Sequence, residues 1–245
     1  HVKDNPSPVD DFSDINSELI LADINTIEKY LKRLEKSRFN DKEKNKLISE
    51  LSLLLDYLNN DNFASSFKFS EDIFKLNDLI LLTKKPMFVI ANINNDTEES
   101  DLADFQKKLH SSIKMIAIDV RTETDISGLE DMERLELLKE MRYGENALDK
   151  IINTGYRLLK LKTFFTSGPK ETRAWAAKND FNARDCSGII HTDIKKGFIR
   201  AETVAYDDYI KHNGDQGSKS EGAWRQEGKD YVVQEGDVIY FRFNL

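Results

Sequence analysis

The stretch FFTSGPKETRAW, residues 164–175, carries the clearest local signals in this chain of 245 residues. Aromatic and β-branched residues flank Gly168 and Pro169, which predicts two strands joined by a turn, a β-hairpin. Downstream, the patterns predict a helix followed by further strands, over residues 183–190, 198–204, 231–233 and 238–243. A hairpin, a helix and more strands in one short segment predict a small α+β domain of the β-grasp, ubiquitin-like type.

Upstream of this domain the pattern changes to alternating strands and helices. Residues 87–91 (MFVIA) are a short continuous apolar run, typical of a parallel strand buried on both faces, and residues 113–118 predict a second buried strand. Helices are predicted over residues 98–110, 129–141 and 146–161. Because two strands do not complete a doubly wound sheet, we expect residues 84–160 to be the rear part of a nucleotide-binding domain.

Two heptad seams near the start of the chain predict a pair of helices. Apolar residues recur every three or four positions along the seams, at Ile20, Ile24, Ile27, Leu31 and Leu34 and then at Leu47, Leu51, Leu54 and Leu58. Asn40 and Glu43 form a capping-box pattern at the start of the second helix. We therefore predict an antiparallel helical hairpin, with an irregular segment before it (residues 1–14) and a helix after it (residues 63–82).

Composition excludes several kinds of site. The chain has 36 Lys and Arg against 44 Asp and Glu, so any contact with nucleic acid must be local. Its 11 glycines begin at Gly128, and neither GxxxxGK[ST] nor GxGxxG occurs, so these residues contain no loop that cradles phosphates.

Four histidines without spaced partners predict no metal site. The single cysteine, Cys186, and the lack of a long apolar run predict a cytoplasmic protein without membrane contact.

Three long segments resemble the YchF family, the Obg-like ATPases of the P-loop GTPase superfamily. They are the stretch quoted above, IHTDIKKGFIRAE over residues 190–202 and EGKDYVVQEGDV over residues 227–238. INSELILAD, over residues 15–23, is similar to the opening of the family's helical insertion. The resemblance covers essentially the whole chain.

The resemblance implies an α/β plus α+β fold. In it, a P-loop NTPase (G) domain is interrupted by an α-helical coiled hairpin and followed by a β-grasp TGS domain. The implied parts are a G-domain remnant (1–14), the coiled insertion (15–83), the C-terminal part of the G domain with its base-recognition loop (84–160) and the TGS domain (161–245). The family's Walker A loop and switches have no counterpart here. We therefore expect the chain to be a fragment.

The family's activity implies a ribosome-binding ATPase that uses Mg²⁺, prefers ATP to GTP and hydrolyses it slowly. Without a phosphate loop, this chain alone is expected to be inactive, to bind neither ATP nor Mg²⁺ tightly and to hold no metal. The alternative is a non-enzymatic adaptor, in which the hairpin and the TGS domain bind ribosomal RNA or protein. In either case we expect a monomer.

The family's NxxE base-recognition motif follows the strand predicted at residues 87–91. The matching residues are Asn92, Ile93, Asn94 and Asn95, so an amide stands where the family has a carboxylate. An amide offers guanine one acceptor oxygen, whereas it can both donate to and accept from adenine. The resemblance therefore implies adenine binding, although a shift of one residue would place Asp96 in the role of Asn95.

Two further residues take roles from the resemblance alone. The second base-contacting loop falls near residues 119–121, where the sequence departs from the Ser-Ala pattern of ordinary GTPases and we assign only Val120. His1 matches the family histidine that orients the attacking water.

Basic residues in two regions are candidates for ribosome or RNA contact. Those at the hairpin tip are Lys42, Lys44 and Lys46, and those of the TGS domain are Arg173, Lys195, Lys196, Arg200 and Lys229. Contact with phosphates is their expected role, and solvated surface charge is the alternative. Between the helix and the strand of that domain, we expect Thr192 or Asp193 to satisfy backbone donors in a turn.

Overall fold

The computed structural model describes residues 7–36, 41–70, 79–94, 96–110, 113–130, 132–133, 136–137 and 147–244. The chain divides into two compact units, His1–Ala147 and Leu148–Leu245. The elements of the first unit are α1 (Pro8–Glu35), α2 (Asp41–Asn59), β1 (Phe88–Asn92), α3 (Glu99–Lys108), β2 (Lys114–Ile118) and α4 (Val120–Ile126). The elements from the unit boundary onward are α5 (Ala147–Leu158), β3 (Leu161–Ser167), β4 (Thr172–Lys178), α6 (Ala183–Ile190), α7 (Thr192–Lys196), β5 (Phe198–Ala205), α8 (Tyr206–Lys211), α9 (Asp215–Ser220), β6 (Arg225–Glu227) and β7 (Asp237–Phe243).

Helices α1 and α2 pack through the two predicted seams. All nine seam positions belong to one hydrophobic core, and Ile27, Leu51, Leu54 and Leu58 are fully buried in it. The Lys44 ammonium donates to the carbonyl of Glu35 (2.6 Å), so the start of α2 lies beside the end of α1. The proposed capping residue Asn40 lies outside the described residues.

The segments that flank the hairpin differ from the sequence prediction. Residues 8–14 are helical rather than irregular, because Ser7 caps α1 and Pro8 occupies its first turn. Proline has no backbone N–H, but an N–H in the first turn would have no partner within the helix. The sequence predicts a helix over residues 63–82. The described residues of this range form one 3₁₀ turn (Ala64–Ser66) and are otherwise irregular, so the prediction is wrong at these residues.

A buried carboxylate replaces the helical hydrogen bonds that this segment lacks. Asp23 of α1 is fully buried and accepts hydrogen bonds from the backbone N–H of Leu82 (2.6 Å) and of Thr83 (2.8 Å). It also accepts a bond from the Thr83 hydroxyl (2.7 Å), which in turn accepts one from the N–H of Ala64. These bonds fix the irregular segment against α1.

Strands β1 and β2 form a parallel pair in which Phe88 lies beside Lys114 and Asn92 beside Ile118. The connection between them contains α3, as the alternating pattern predicts. Because the strands are parallel, their carboxyl ends and the segments that follow them meet at one edge. Helix α4, which begins directly after β2, is an element that the sequence analysis did not predict.

The second unit contains a mixed five-stranded sheet in the order β4-β3-β7-β5-β6. The first and last strands of the unit, β3 and β7, are parallel neighbours, with Phe165 beside Val238, and the other strand pairs are antiparallel. Helix α6 covers one face, where Phe164, Cys186 and Ile239 are buried in a common core. Asn182 caps this helix by accepting a hydrogen bond from the N–H of Asp185.

Short elements of this unit escaped sequence analysis. Helices α7 and α9 and strand β6 have three to six residues each, too few to carry a clear period. The turn expected before β5 is helix α7, and its capping side chain is His191 rather than Thr192 or Asp193: the Nδ1 atom of His191 accepts from the N–H of Asp193 (3.2 Å). Among the described residues, no helix is both long enough and apolar enough to cross a membrane.

Candidate functional site

A cleft of about 640 Å³ lies at the carboxyl ends of β1 and β2. One wall comes from the loop after β1 and the other from the start of α4. The lining residues are Asn92, Ile93, Asn94, Asp96, Asp119, Val120, Arg121, Thr122, Thr124 and Asp125. The cleft therefore joins polar side chains from two segments that follow neighbouring parallel strands.

The residues predicted to contact the base are Asn92, Ile93, Asn95 and Val120, and Asn92, Ile93 and Val120 meet in this cleft. The side-chain Oδ1 of Asn92 accepts a hydrogen bond from the N–H of Val120 (3.4 Å), which ties the two walls together. The N–H of Ile93 donates to the carbonyl of Ile118 (2.9 Å), and its side chain is buried. Val120 is 49% exposed. The fourth residue, Asn95, lies outside the described residues, as does His1.

The loop after β1 is closed by its own hydrogen bonds. The Oδ1 of Asn94 accepts from the Thr97 hydroxyl (2.8 Å) and from the N–H of Asp96 (3.2 Å). The same Thr97 hydroxyl oxygen accepts from the N–H of Asn94 (3.1 Å), and the Thr97 N–H donates to the Asn94 carbonyl (3.1 Å). Asn94 is therefore occupied in shaping the loop. Asp96, the alternative to Asn95, is an exposed part of the cleft lining.

Asp119 shapes the second wall, a role that the sequence analysis missed. Its carboxylate caps α4 by accepting from the N–H groups of Arg121 and Thr122 (3.1 Å each) and from the Thr122 hydroxyl (2.7 Å). These bonds, above all that of the Thr122 hydroxyl, lower the pKa of Asp119. An Asp directly after a buried strand is a recognisable helix-capping signal, and it could have located α4 in the sequence.

The cleft offers hydrogen-bonding groups of both senses beside apolar surface. Asn92 carries an amide, Asp96 and Asp125 carry carboxylates, and the half-exposed Val120 supplies aliphatic surface. A flat heterocycle with polar edges needs this combination. The described residues contain no cluster of three or more His, Cys, Asp or Glu able to hold a metal ion.

The predicted contacts at the hairpin tip lie in the first turns of α2. Lys42 and Lys46 are exposed, whereas Lys44 is half-buried by its bond to α1. On α1, a shallow depression is lined by Thr26, Lys29, Lys32 and Arg33. The basic surface of the hairpin therefore includes α1 as well as the three lysines singled out on α2.

The five predicted contacts of the second unit fall into two groups. Three of them bind carboxylates of the same unit: Lys195 binds Asp185 (2.8 Å), Lys196 binds Asp193 (3.8 Å) and Arg200 binds Glu202 (3.1 Å). Arg173 lies instead over the ring of Trp175, with its Cζ atom 4.2 Å from the ring centroid, and Lys229 is exposed. Only Arg173 and Lys229 of this set carry no ion pair within the described part of the chain.

Comparison with known proteins finds relatives along the whole chain. A family model named YchF-GTPase_C, described as a protein of unknown function (DUF933), matches residues 161–244. The chain is 40% identical over 250 residues to the ribosome-binding ATPase YchF of Haemophilus ducreyi, and the match covers 100% of this chain and 69% of the relative. It is also 40% identical, with the same coverage, to the ribosome-binding ATPase YchF of Bacillus subtilis.

Solved structures agree with these relationships. The Schizosaccharomyces pombe YchF GTPase matches with a TM-score of 0.83 at 26% identity, over 99% of this chain and 68% of that one. A GTP-binding protein from Pyrococcus horikoshii OT3 matches with a TM-score of 0.60 at 18% identity, over 99% and 73% of the two chains, which supports the mixed α/β fold alone. With 40% identity over more than two thirds of its relatives' length, this chain belongs to the YchF family.

Proposed function

We propose that this chain is part of a ribosome-binding ATPase and that the cleft beyond β1 and β2 receives the adenine base of ATP. The observation that carries this proposal is the Asn92–Val120 hydrogen bond. It brings together two wall residues that the family resemblance assigned to base contact. The relatives named as ribosome-binding ATPases support the same activity for the complete protein.

The choice of base rests on hydrogen-bonding chemistry. Guanine is held in ordinary GTPases by a carboxylate that accepts two of its N–H groups, whereas the motif here ends in Asn95. An amide can pair with adenine in both directions, so ATP is preferred over GTP. Asp96, if it took that place instead, would favour guanine.

Adenosine and guanosine titrations test this choice without the phosphates. We expect adenosine to move the amide resonances of Ile93 and Val120 in the intact chain and guanosine to move them less. Asn92→Ala should weaken the adenosine response by about tenfold, as loss of a good polar contact costs roughly 1.4 kcal/mol. Asn60→Ala is the matched control, because Asn60 is an exposed amide at the end of α2. An equal response to both nucleosides would contradict the proposal.

Hydrolysis is proposed for the complete protein and not for these 245 residues alone. None of the motifs that hold the β- and γ-phosphates or Mg²⁺ occurs in them, so purified chain should show no Mg²⁺-dependent ATP turnover above the buffer rate. Turnover that persists through purification and falls in the Asn92→Ala variant would overturn this statement. Turnover unaffected by that variant would indicate a contaminating enzyme.

For the organisation of the chain, we infer a coiled hairpin (15–83), a base-recognition part of a G domain (84–160) and a β-grasp TGS domain (161–245). The parallel pairing of β3 with β7 between antiparallel neighbours supports the last assignment. The family role of His1 and a remnant at residues 1–14 belong to the same proposal. A ribosomal partner implies a cytoplasmic protein, and a monomer is part of the same proposal.

A ribosome-binding adaptor without enzymatic activity is the second candidate. The exposed cations of the hairpin and of the second unit support ribosome contact, which both candidates require. We expect co-sedimentation with ribosomes that weakens as salt rises. Neutralising Lys42 and Lys46, or Arg173 and Lys229, should reduce the salt dependence by about one counterion per lost phosphate contact.

Neutralising Lys195 and Lys196 provides the matched control for Arg173 and Lys229 in the second unit, because these lysines bind carboxylates of their own unit. Ribosome binding that no neutralisation changes would exclude electrostatic docking through these residues. If added ATP did not change the ribosome binding of the complete protein, the result would favour the adaptor over the ATPase.

A further inference from the structure

The second unit contains a cleft that shares no lining residue with the cleft proposed for the base. Its volume is about 320 Å³. It is lined by Phe165, Ala205, Tyr206, Asp207, Glu235 and Gly236. These residues come from β3, from the junction of β5 and α8, and from the turn before β7, so the sheet itself brings them together.

Two aromatic rings form the apolar part of this cleft. The ring centroids of Phe165 and Tyr206 lie 5.7 Å apart, with planes inclined by 35°. Tyr206 is 48% exposed, so its ring also presents surface to a ligand. Gly236 keeps the turn close to this pair: its φ of +81° suits glycine, and a Cβ there would lie 3.4 Å from the Cβ of Tyr206.

Two carboxylates give the cleft its charge. One oxygen of Glu235 accepts from the N–H of Thr163 (3.0 Å), and the Gly236 N–H donates to the carbonyl of Thr163 (2.8 Å), so the turn is fixed against β3. Asp207 has neither an ion pair nor a side-chain hydrogen bond within the described part of the chain. No Lys, Arg or His lines the cleft itself. The buried ammonium of Lys162, which is bonded to backbone carbonyls, is a nearby positive charge that interacts with Glu235.

We propose that this cleft binds an arginine side chain presented by a basic segment of a protein partner. A guanidinium is flat, stacks on aromatic rings and donates several hydrogen bonds in a fixed plane, so it can use Tyr206 and the carboxylates together. A lysine ammonium lacks the flat surface and is more strongly hydrated. A nucleic acid would bring phosphates towards Asp207 and Glu235, which repel them.

The site differs from the surfaces proposed for ribosomal RNA. Those surfaces carry cations that attract phosphate, whereas this cleft carries anions and aromatic rings. The cleft therefore recognises protein rather than RNA. Its binding can be measured without nucleotide or ribosome.

The test uses the intact chain and a short neutral peptide that carries one arginine. Copies with lysine and with citrulline, the uncharged isostere of arginine, serve as comparison peptides. We expect the arginine peptide to move the amide resonances of Ala205, Tyr206 and Gly236, with a dissociation constant of about 1 mM, the scale of a single side chain. The citrulline peptide should leave them in place, and the lysine peptide should bind about threefold more weakly.

Charge-neutral variants separate the cleft from general surface charge. Asp207→Asn with Glu235→Gln should weaken arginine binding about tenfold while keeping an acceptor for Thr163. Glu221→Gln with Asp230→Asn removes the same charge at exposed sites outside the cleft and should change binding less than about twofold. Tyr206→Leu should weaken binding and Tyr206→Phe should retain it.

Several results would overturn the proposal. An equal response to citrulline would remove the role of charge, and an equal response to lysine would remove the preference for a guanidinium. Binding that survives the Asp207 and Glu235 changes would place the peptide elsewhere. An RNA oligonucleotide that moves the same amide resonances would identify a different class of partner.

Discussion

The clefts of the two units differ in how they are held and in what they can bind. Each wall of the first cleft is shaped by its own short-range bonds, those of Asn94 within its loop and those of Asp119 within the first turn of α4, and the Asn92–Val120 hydrogen bond joins the two walls. The walls of the second are attached to the sheet, where Glu235, in the turn before β7, accepts a hydrogen bond from the backbone of Thr163 on β3. The first offers an amide, carboxylates and aliphatic surface to a polar ring, and the second offers aromatic rings and carboxylates to a cation.

This difference shows how each cleft depends on its unit. None of the residues that line the first cleft belongs to the hydrophobic core of the hairpin, so loss of core packing there should leave the cleft in place. Phe165 and Glu235 of the second cleft lie in or bond directly to β3, so damage to that sheet should alter the cleft as well.

The largest expected effect comes from the hairpin core. Leu54 is fully buried, and Leu54→Ala should lower the free energy of unfolding of the helices by about 3 kcal/mol through lost burial and a cavity. Its neighbour Leu53 is 59% exposed, and Leu53→Ala should cost less than about 0.5 kcal/mol. Urea unfolding followed by far-UV circular dichroism measures both. The amide resonances of Ile93 and Val120 should not move in either variant, and movement in Leu54→Ala alone would show that the first cleft depends on the core.

A smaller loss is expected at the end of the sheet. A Cβ at Gly197 would lie 1.8 Å from the carbonyl oxygen of Asn244. The backbone N–H of Asn244 also donates a hydrogen bond to the carbonyl of Gly197. Gly197→Ala should therefore push the chain after β7 away and destabilise the second unit by about 2 kcal/mol. Gly228→Ala is the control, because a Cβ there meets nothing within 4 Å.

Tryptophan fluorescence follows this unfolding, since Trp175 and Trp224 both belong to the second unit. We expect Gly197→Ala also to shift the resonance of Phe165, which lies on β3 beside β7. An unfolding curve like that of Gly228→Ala would mean that the strand end adapts without cost.

The smallest effect concerns acid stability. The hydrogen bonds that Arg242 donates to Glu202 (3.0 Å each), followed by that of Arg200, lower the pKa of Glu202 in the folded chain. A carboxyl whose pKa is lower in the folded state stabilises the fold above its unfolded pKa and loses that contribution as pH falls through the folded pKa. The urea concentration at the unfolding midpoint should therefore fall less between about pH 7 and pH 3 in Glu202→Gln than in the unchanged chain.

Glu221→Gln, at an exposed carboxylate without a bonded partner within the described residues, should behave as the unchanged chain does. If Glu202→Gln retained the full pH dependence, the acid sensitivity of the sheet would originate elsewhere.

The sequence predicted those parts of the fold that carry a clear period. The two leucine and isoleucine seams, the parallel strands and helix α6 lie where the patterns placed them, because burial on one face requires those patterns. Three of the residues predicted to contact the base lie in one cleft, because parallel strands end at the same edge.

Long-range polar contacts could not be predicted in this way. Asp23 binds backbone groups about sixty residues away, and buried Lys162 donates to the carbonyls of Asn179, Phe181 and Val233. Loss of hydration lowers the pKa of Lys162, and no local pattern indicates that its ammonium is used inside the unit. The second cleft is of the same kind, since Phe165, Tyr206 and Glu235 meet only through the sheet.

One titration tests most directly whether the two clefts bind different classes of ligand. Adenosine and the single-arginine peptide are added in turn to the same isotope-labelled chain while the amide resonances of both clefts are followed. We expect adenosine to move Ile93 and Val120 and to leave Tyr206 and Gly236 unchanged, and the peptide to do the reverse. Adenosine that leaves Ile93 and Val120 in place, or that moves them no more than guanosine does, would contradict the assignment of the cleft beyond β1 and β2 to the adenine base.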